Sequence, residues 1–252
     1  MKRYVAACSF GKDSMATVIL AKKYKEPLDE VVYCEVMFDE ETSGEVPEHR
    51  DFVYRIAIPR LKRAGIPVHI VRGEKTFVGQ FQHRISGEGR SAGKMWSWPL
   101  CGKCYVQRDL KVKPINEYLR QISEPITQYI GIGIDEPKRL ESLRKKKGCV
   151  SLLEKYGYTR EMAKEKCMEY GLFSPCYELS NRGGCWFCPN AKLEEQREIK
   201  KNYPEVWSQF VSLEDQTDDV AYTVFNPFRR SLHEIDAQLE FDKGGNNGTN
   251  TQ

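Results

Sequence analysis

The stretch Arg3-Tyr4-Val5-Ala6-Ala7-Cys8-Ser9-Phe10-Gly11-Lys12-Asp13-Ser14 decides the fold. Residues 3–8 read as a buried strand, and residues 13–25 read as a helix with Met15, Val18 and Ile19 on one face. A tight polar turn joins them. A strand that ends in small residues and opens a helix is built for an anion. The turn's backbone N–H groups converge on it, and the helix N-terminus adds positive potential. Ser9 and Ser14 add hydroxyl donors, Lys12 adds charge, and Gly11 lets backbone come close to a phosphate. Asp13 can cap the helix or hold a metal ion on the phosphates. The spacing excludes both a Walker loop and the Gly-x-Gly-x-x-Gly dinucleotide fingerprint. The plain alternative is an ordinary capped helix after a strand.

Working outward, residues 30–38 form a second apolar run rich in β-branched residues. Residues 47–63 look helical, and residues 67–71 read as a third strand. Residues 110–122 resume as a helix, and residues 126–134 form another buried strand. Strand, helix, strand at this spacing argues for a parallel sheet with right-handed crossovers. The expected fold is α/β, a doubly wound parallel sheet of about five strands, with the ligand at the carboxyl ends of the strands. Residues 73–99 break the pattern and read as a long loop. Residues 159–170, 191–201 and 204–213 look helical. The expected organisation is a nucleotide-binding α/β domain over 1–148, a helical metal-bearing subdomain over 149–242, and a disordered low-complexity tail over 243–252.

Ser9-Phe10-Gly11-Lys12-Asp13-Ser14 resembles the PP-loop, usually Ser-Gly-Gly-x-Asp-Ser, of the adenine-nucleotide hydrolase superfamily, with Phe10 at the first glycine. Three further segments resemble its phosphoadenosine-phosphosulfate (PAPS) reductase branch. They are the acidic stretch from Phe38 to His49 with Pro47-Glu48, the run Lys111-Val112-Lys113-Pro114-Ile115, and the turn Gly133-Ile134-Asp135-Glu136-Pro137-Lys138-Arg139. The resemblance covers most of residues 1–190. It implies an adenine nucleotide such as ATP, Mg²⁺, and attack at the α-phosphate. In that reading Ser9, Phe10, Gly11, Lys12, Asp13 and Ser14 bind the nucleotide, and Lys12, Asp13 and Arg139 act in catalysis. An arginine at 139 can pair bidentately with a phosphate or sulfate. The branch's Glu-Cys-Gly-Ile/Leu-His tail, whose cysteine attacks sulfate sulfur, has no counterpart here, because the last cysteine is Cys188. The implied reaction is therefore adenylyl activation coupled to sulfur transfer. Sulfonucleotide reduction by another thiol is the alternative.

Nine cysteines include two Cys-x-x-Cys pairs, Cys101/Cys104 and Cys185/Cys188. Each spacing lets both sulfurs reach one ion, and two pairs complete a tetrahedral sulfur site. The same thiolates suit an iron–sulfur cluster. Spacing leaves zinc and iron open. The resemblance, whose adenylylsulfate reductases and phosphorothioation sulfurtransferase carry clusters, points to [4Fe-4S] with Zn²⁺ as the alternative. Cys8 and Cys34 read as inert core residues. Cys149, Cys167 and Cys176 are candidate persulfide carriers, or plain free thiols.

The remaining features set limits. The chain has 252 residues, 40% hydrophobic and 11% aromatic, enough for a packed core. A net charge of +3 does not by itself imply nucleic acid. No stretch approaches the roughly 20 apolar residues of a membrane span, and the basic-then-apolar start is too short for a signal peptide. The expected location is the cytoplasm. The basic run 138–147 reads as a solvated helix face or as a contact to nucleic-acid phosphates. A non-catalytic zinc-knuckle module binding nucleic acid or a partner is the remaining alternative. Of four histidines, His49 follows the second strand and is a weak site candidate. Expected partners are the adenine nucleotide, a sulfur acceptor that is a small molecule or a nucleic acid, and a sulfur-donor protein.

Overall fold

The computed structural model describes residues 2–99, 104–179, 183–216, 219–221, 225 and 230–245. In chain order the elements are β1 (Arg3–Ala7), α1 (Lys12–Lys23), β2 (Glu30–Cys34), and α2 (Pro47–Asp51), which runs through a π-helical stretch into α3 (Ile58–Arg63). Next come β3 (Val68–Val71), α4 (Phe77–Phe81), a second π-helical stretch (Val106–Val112), α5 (Lys113–Arg120), β4 (Ile126–Tyr129), α6 (Pro137–Arg144) and β5 (Cys149–Val150). The rest is helical: α7 (Leu152–Lys155), α8 (Arg160–Glu169), α9 (Cys176–Leu179), α10 (Leu193–Asn202), α11 (Pro204–Ser212) and α12 (Leu232–Gly245). Proline stands in the first turn of α2, α6 and α11, where its missing N–H costs nothing.

The five strands are all parallel, in the order β3-β2-β1-β4-β5. Successive strands step one way from β1 to β3. The next pair, β4 and β5, lies on the other side of β1, so the direction of winding reverses between β1 and β4. All five residues of β2 are buried, as a central parallel strand covered on both faces requires. Val31 and Tyr33 pack on the side of α1, α3 and the intervening π-helical stretch. Cys34, on the opposite face, reaches the Leu110 carbonyl ahead of α5, with Sγ 3.3 Å away. The sheet is therefore doubly wound, as read from the sequence. Strand β4 stops at Tyr129 rather than 134, and the two-residue β5 was not legible in the pattern.

The chain divides into two compact units, neither contiguous in sequence. The first comprises residues 1–36, 45–74 and 109–183 and holds the whole sheet with α1–α3 and α5–α9. The composition-based boundary after residue 148 falls inside this unit, because β5, α7 and α8 return to the sheet and α8 packs along α1. The second comprises residues 37–44, 75–108 and 184–252. Its core is aromatic: Phe38, Phe77, Phe81, Trp98, Phe187 and Phe210 are all buried, with Phe77 and Phe187 stacked at 4.3 Å between centroids. Burying each such ring is worth about 1.5–3 kcal/mol. The segment 73–99 is thus no free loop. It supplies α4, capped by the Thr76 hydroxyl at 3.1 Å from Gly79 N, and the fully buried Trp98. Residues 243–245, expected in a disordered tail, end α12, and the rest of that tail lies outside the described residues.

Candidate functional site

The switch point between β1 and β4 opens a polar cleft of about 220 Å³, lined by Ser9, Gly11, Lys12, Asp13, Ser14, Gly131, Arg139, Arg160, Tyr177 and Gly183. All belong to the first unit. Where winding reverses, the loops leaving neighbouring strands part in opposite directions, and an open α/β sheet binds its ligands in that gap. The loop after β4 crosses directly over the first turn of α1. A Cβ on Gly131 would lie 2.5 Å from the Asp13 carbonyl carbon and oxygen, so only glycine fits.

The turn's conformation follows from Phe10. Its φ is +57°, in the left-handed region that costs an L-residue about 1–2 kcal/mol. Phe10 was counted with the binding turn, yet its ring points away from the cleft. It is fully buried, edge-on to Tyr33 at 5.2 Å, so core burial offsets the backbone strain. Ser14 Oγ donates to the Gly11 carbonyl at 3.0 Å and lies 3.3 Å from Ser9 Oγ, which places both hydroxyls on one side of the turn.

Charge in the cleft is internally compensated. Lys12 Nζ lies 2.6 Å from Asp13 Oδ1 and donates to the Arg160 carbonyl at 3.2 Å. Arg160 Nε approaches Asp13 Oδ2 at 3.8 Å. Arg139, in the first turn of α6, pairs with Glu136. Three cations therefore face two carboxylates, a surplus of one positive charge toward an incoming anion. Asp13 is the carboxylate on the cleft wall that could hold Mg²⁺ on a phosphate chain, in competition with Lys12.

His49 is 3% exposed and does not face the cleft. Its Nε2 donates to the Ser9 carbonyl at 2.9 Å, which fixes the proton there, and Nδ1 lies 2.8 Å from Ser174 Oγ. It positions the turn from behind. Arg160 and Tyr177 were missed in the sequence. Each lies over 140 residues from the turn, and only the packing of α8 and the segment after it onto α1 brings them there.

The candidate sulfur carriers are held as thiols. Cys167 is fully buried under α1 with Sγ 3.2 Å from the Lys12 carbonyl, and burial pushes its pKa up to about 12. Burial likewise pushes Cys8 and Cys176 up to about 11, and Cys34 up to about 12. Cys149 is partly buried beside Gln128, and its pKa is raised for the same reason. Among the described residues, no cysteine lines the cleft.

Cys104, Cys185 and Cys188 fall in the second unit. Cys101 lies outside the described residues. Burial raises the Cys104 pKa, and the backbone N–H groups of Gln107 and Val106 counter this. Cys188 N donates to the Cys185 carbonyl at 3.2 Å, closing a tight knuckle. Between these cysteines Trp186 donates Nε1–H to the Ser43 carbonyl at 2.9 Å, and Phe187 joins the aromatic core. Among the described residues, no three His, Cys, Asp or Glu side chains gather as a metal site. Among the described residues, the Cys185/Cys188 knuckle and the separate thiol of Cys104 are what the chain offers a metal.

The basic run forms α6 and its exit. Arg144 pairs with Glu154, and Lys145 with Glu141 at 2.7 Å, the pattern of a solvated, salt-bridged face. No described helix is long and apolar enough to cross a membrane.

No protein-family model matches the chain, and no curated protein matches it. Among solved structures it is similar to the U34-tRNA thiolase NcsA from Methanococcus maripaludis with its [4Fe-4S] cluster. The two are 14% identical, over 95% of this chain and 72% of that one, with a TM-score of 0.42. So loose a superposition carries no weight for fold or activity.

Proposed function

We propose that this chain is a PP-loop enzyme that binds an adenine nucleotide and activates an acceptor at the α-phosphate, coupled to sulfur transfer. The observation that carries the reading is the cleft at the β1/β4 switch point, lined by Ser9, Gly11, Lys12, Asp13 and Ser14 of the PP-loop-like turn together with Arg139. An acceptor oxygen attacks the α-phosphorus, the bond to the β-phosphate oxygen breaks, and diphosphate leaves. An external sulfur nucleophile then displaces AMP from the acceptor. Lys12, Arg139 and the hydroxyls of Ser9 and Ser14 stabilise the charge that develops on the departing diphosphate. The proposed metal ligands remain Cys101, Cys104, Cys185 and Cys188, for a [4Fe-4S] cluster or Zn²⁺. No step is assigned to that metal.

Sulfonucleotide reduction by an internal thiol is less well supported, because the cysteines nearest the turn are buried and protonated. A non-catalytic basic module is disfavoured by the ion pairs along α6. The test is calorimetric titration of ATP and AMP into the full chain and its Asp13→Ala and Lys12→Ala variants. Binding by the wild type, lost or strongly altered in the variants, supports the reading. No adenine-nucleotide binding, with both variants indistinguishable from wild type, sinks it.

A further inference from the structure

Tyr177, on the short helix α9, reaches the phosphate turn from the far side of the cleft. Its Oη accepts the Lys12 N–H at 2.9 Å. That N–H belongs to the first residue of α1 and is one of the donors a helix N-terminus leaves open. A phenol oxygen that accepts one hydrogen bond still has its own proton to give. Among the described residues no acceptor for that proton is found. Burial holds the Tyr177 pKa well above the ordinary phenol value, so the hydroxyl stays a donor at physiological pH.

The seat of this hydroxyl is built into the fold. A Cβ at Gly11 would lie 3.1 Å from Oη, and one at Gly183 would lie 3.6 Å away. Glycine at 11 thus makes room for Tyr177 as well as for a ligand. From behind, the ring stacks on Phe173 at 4.9 Å with 15° between planes. The cleft, about 220 Å³, is smaller than the ~300–1,000 Å³ that encloses a whole small-molecule ligand, and its lining is mostly polar. It suits the phosphate end of a ligand rather than the whole of it.

We propose that Tyr177 completes the anion site: held as an acceptor by the Lys12 amide, its hydroxyl donates its proton to an oxygen of a bound diphosphate group and favours ligands with linked phosphates over monophosphates. The inference rests on the phosphate-site reading above and adds the residue that selects within it. Ser9 and Ser14 present their hydroxyls from the β1 side of the turn, and Tyr177 presents one from the α9 side, so a chain of phosphates can engage both.

The test is titration of inorganic diphosphate, inorganic phosphate, ATP and AMP into the full chain and into Tyr177→Phe, with Lys12→Ala as the site control and thermal melting as the fold control. A hydrogen bond to a charged group is worth roughly tenfold or more in affinity. Tyr177→Phe is expected to weaken diphosphate and ATP by about that factor and to change phosphate and AMP by less than about twofold. Gly11→Ala, which must displace the hydroxyl by a few tenths of an ångström, is expected to weaken diphosphate in the same direction. Equal binding by Tyr177→Phe overturns the proposal. Tighter binding also overturns it, because the hydroxyl would then be competing with the ligand for the Lys12 amide. If Lys12→Ala loses binding while Tyr177→Phe does not, the site stands and Tyr177 has no part in it. If the wild type binds neither diphosphate nor ATP, both readings fall.

Discussion

Phe10 sets two opposing terms against each other, and replacing it by glycine and by alanine separates them. Its ring is fully buried and packs edge-on to Tyr33, so either truncation forfeits about 3–5 kcal/mol of burial and leaves a cavity. Its φ of +57° reverses the usual ranking of the two replacements. Alanine keeps the left-handed strain of about 1–2 kcal/mol, whereas glycine sheds it and gives back about 0.5–1 kcal/mol in unfolded-chain entropy. Phe10→Gly is therefore expected to be the more stable variant by about 0.5–1 kcal/mol, lying about 2–4.5 kcal/mol below wild type against about 3–5 kcal/mol for Phe10→Ala. At about 2–4 °C per kcal/mol for a chain of this size, wild type should melt roughly 4–20 °C above the variants, with Phe10→Ala lowest. Urea unfolding and thermal melting both read this. Because the ring points away from the cleft, Phe10→Gly should keep nucleotide affinity within about threefold at a temperature where it is folded. Alanine more stable than glycine, or a loss below about 1 kcal/mol for both, would refute the account of the turn.

Other outcomes follow from the same contacts. Asp13→Asn frees Lys12 and Arg160, so affinity for Mg²⁺-free diphosphate should rise severalfold while any Mg²⁺ dependence of ATP binding disappears; titration with and without Mg²⁺ checks both. Glu35 is fully buried and accepts from Tyr54 Oη at 2.8 Å, Arg50 Nε at 3.0 Å and Arg72 Nη2 at 2.6 Å. Burial alone would raise its pKa, but these donors hold it below the usual carboxylate value. Its contribution is present above the unfolded pKa and fades as pH falls, and Glu35→Gln should cost about 3 kcal/mol near neutral pH in urea unfolding. Cys8, Cys34, Cys167 and Cys176 are raised from a reference of 9.0 to about 11–12. The folded chain then holds protons that the unfolded chain releases, so stability should fall from about pH 9 upward, by at most ~1.4 kcal/mol per pH unit for each thiol. Unfolding at pH 8 and pH 10 measures it, and no difference between the two would remove the buried-thiol account.

The parallel sheet and the turn that opens α1 were legible in the sequence because they are local. Residues 3–14 carry a strand, a small-residue turn and a helix start in one run, and the hydrophobic period marks each element. The five-strand expectation held, although β5 is only two residues long and its segment showed no strand pattern of its own. The turn's polar side chains and Arg139 stood out by residue type, and the structure lines one cleft with them. Phe10's position in the turn was visible, but the direction of its ring depends on a φ that sequence does not print.

What the sequence alone determined was therefore the class of fold and the strand–turn–helix on which the proposed anion site rests, both consequences of residue periodicity and of which residues can make a close backbone approach. The tertiary structure decided what closes that site. Crossovers β4-α6-β5-α7-α8 bring Arg160 against Asp13, α9 sets Tyr177 on the Lys12 amide, and α2 puts His49 behind Ser9. These contacts join residues 40 to 165 positions apart, and chain separation of that order leaves no trace in local pattern. They are fixed only when the two faces of the sheet bury their apolar side chains and the helix ends fall where the packing leaves them.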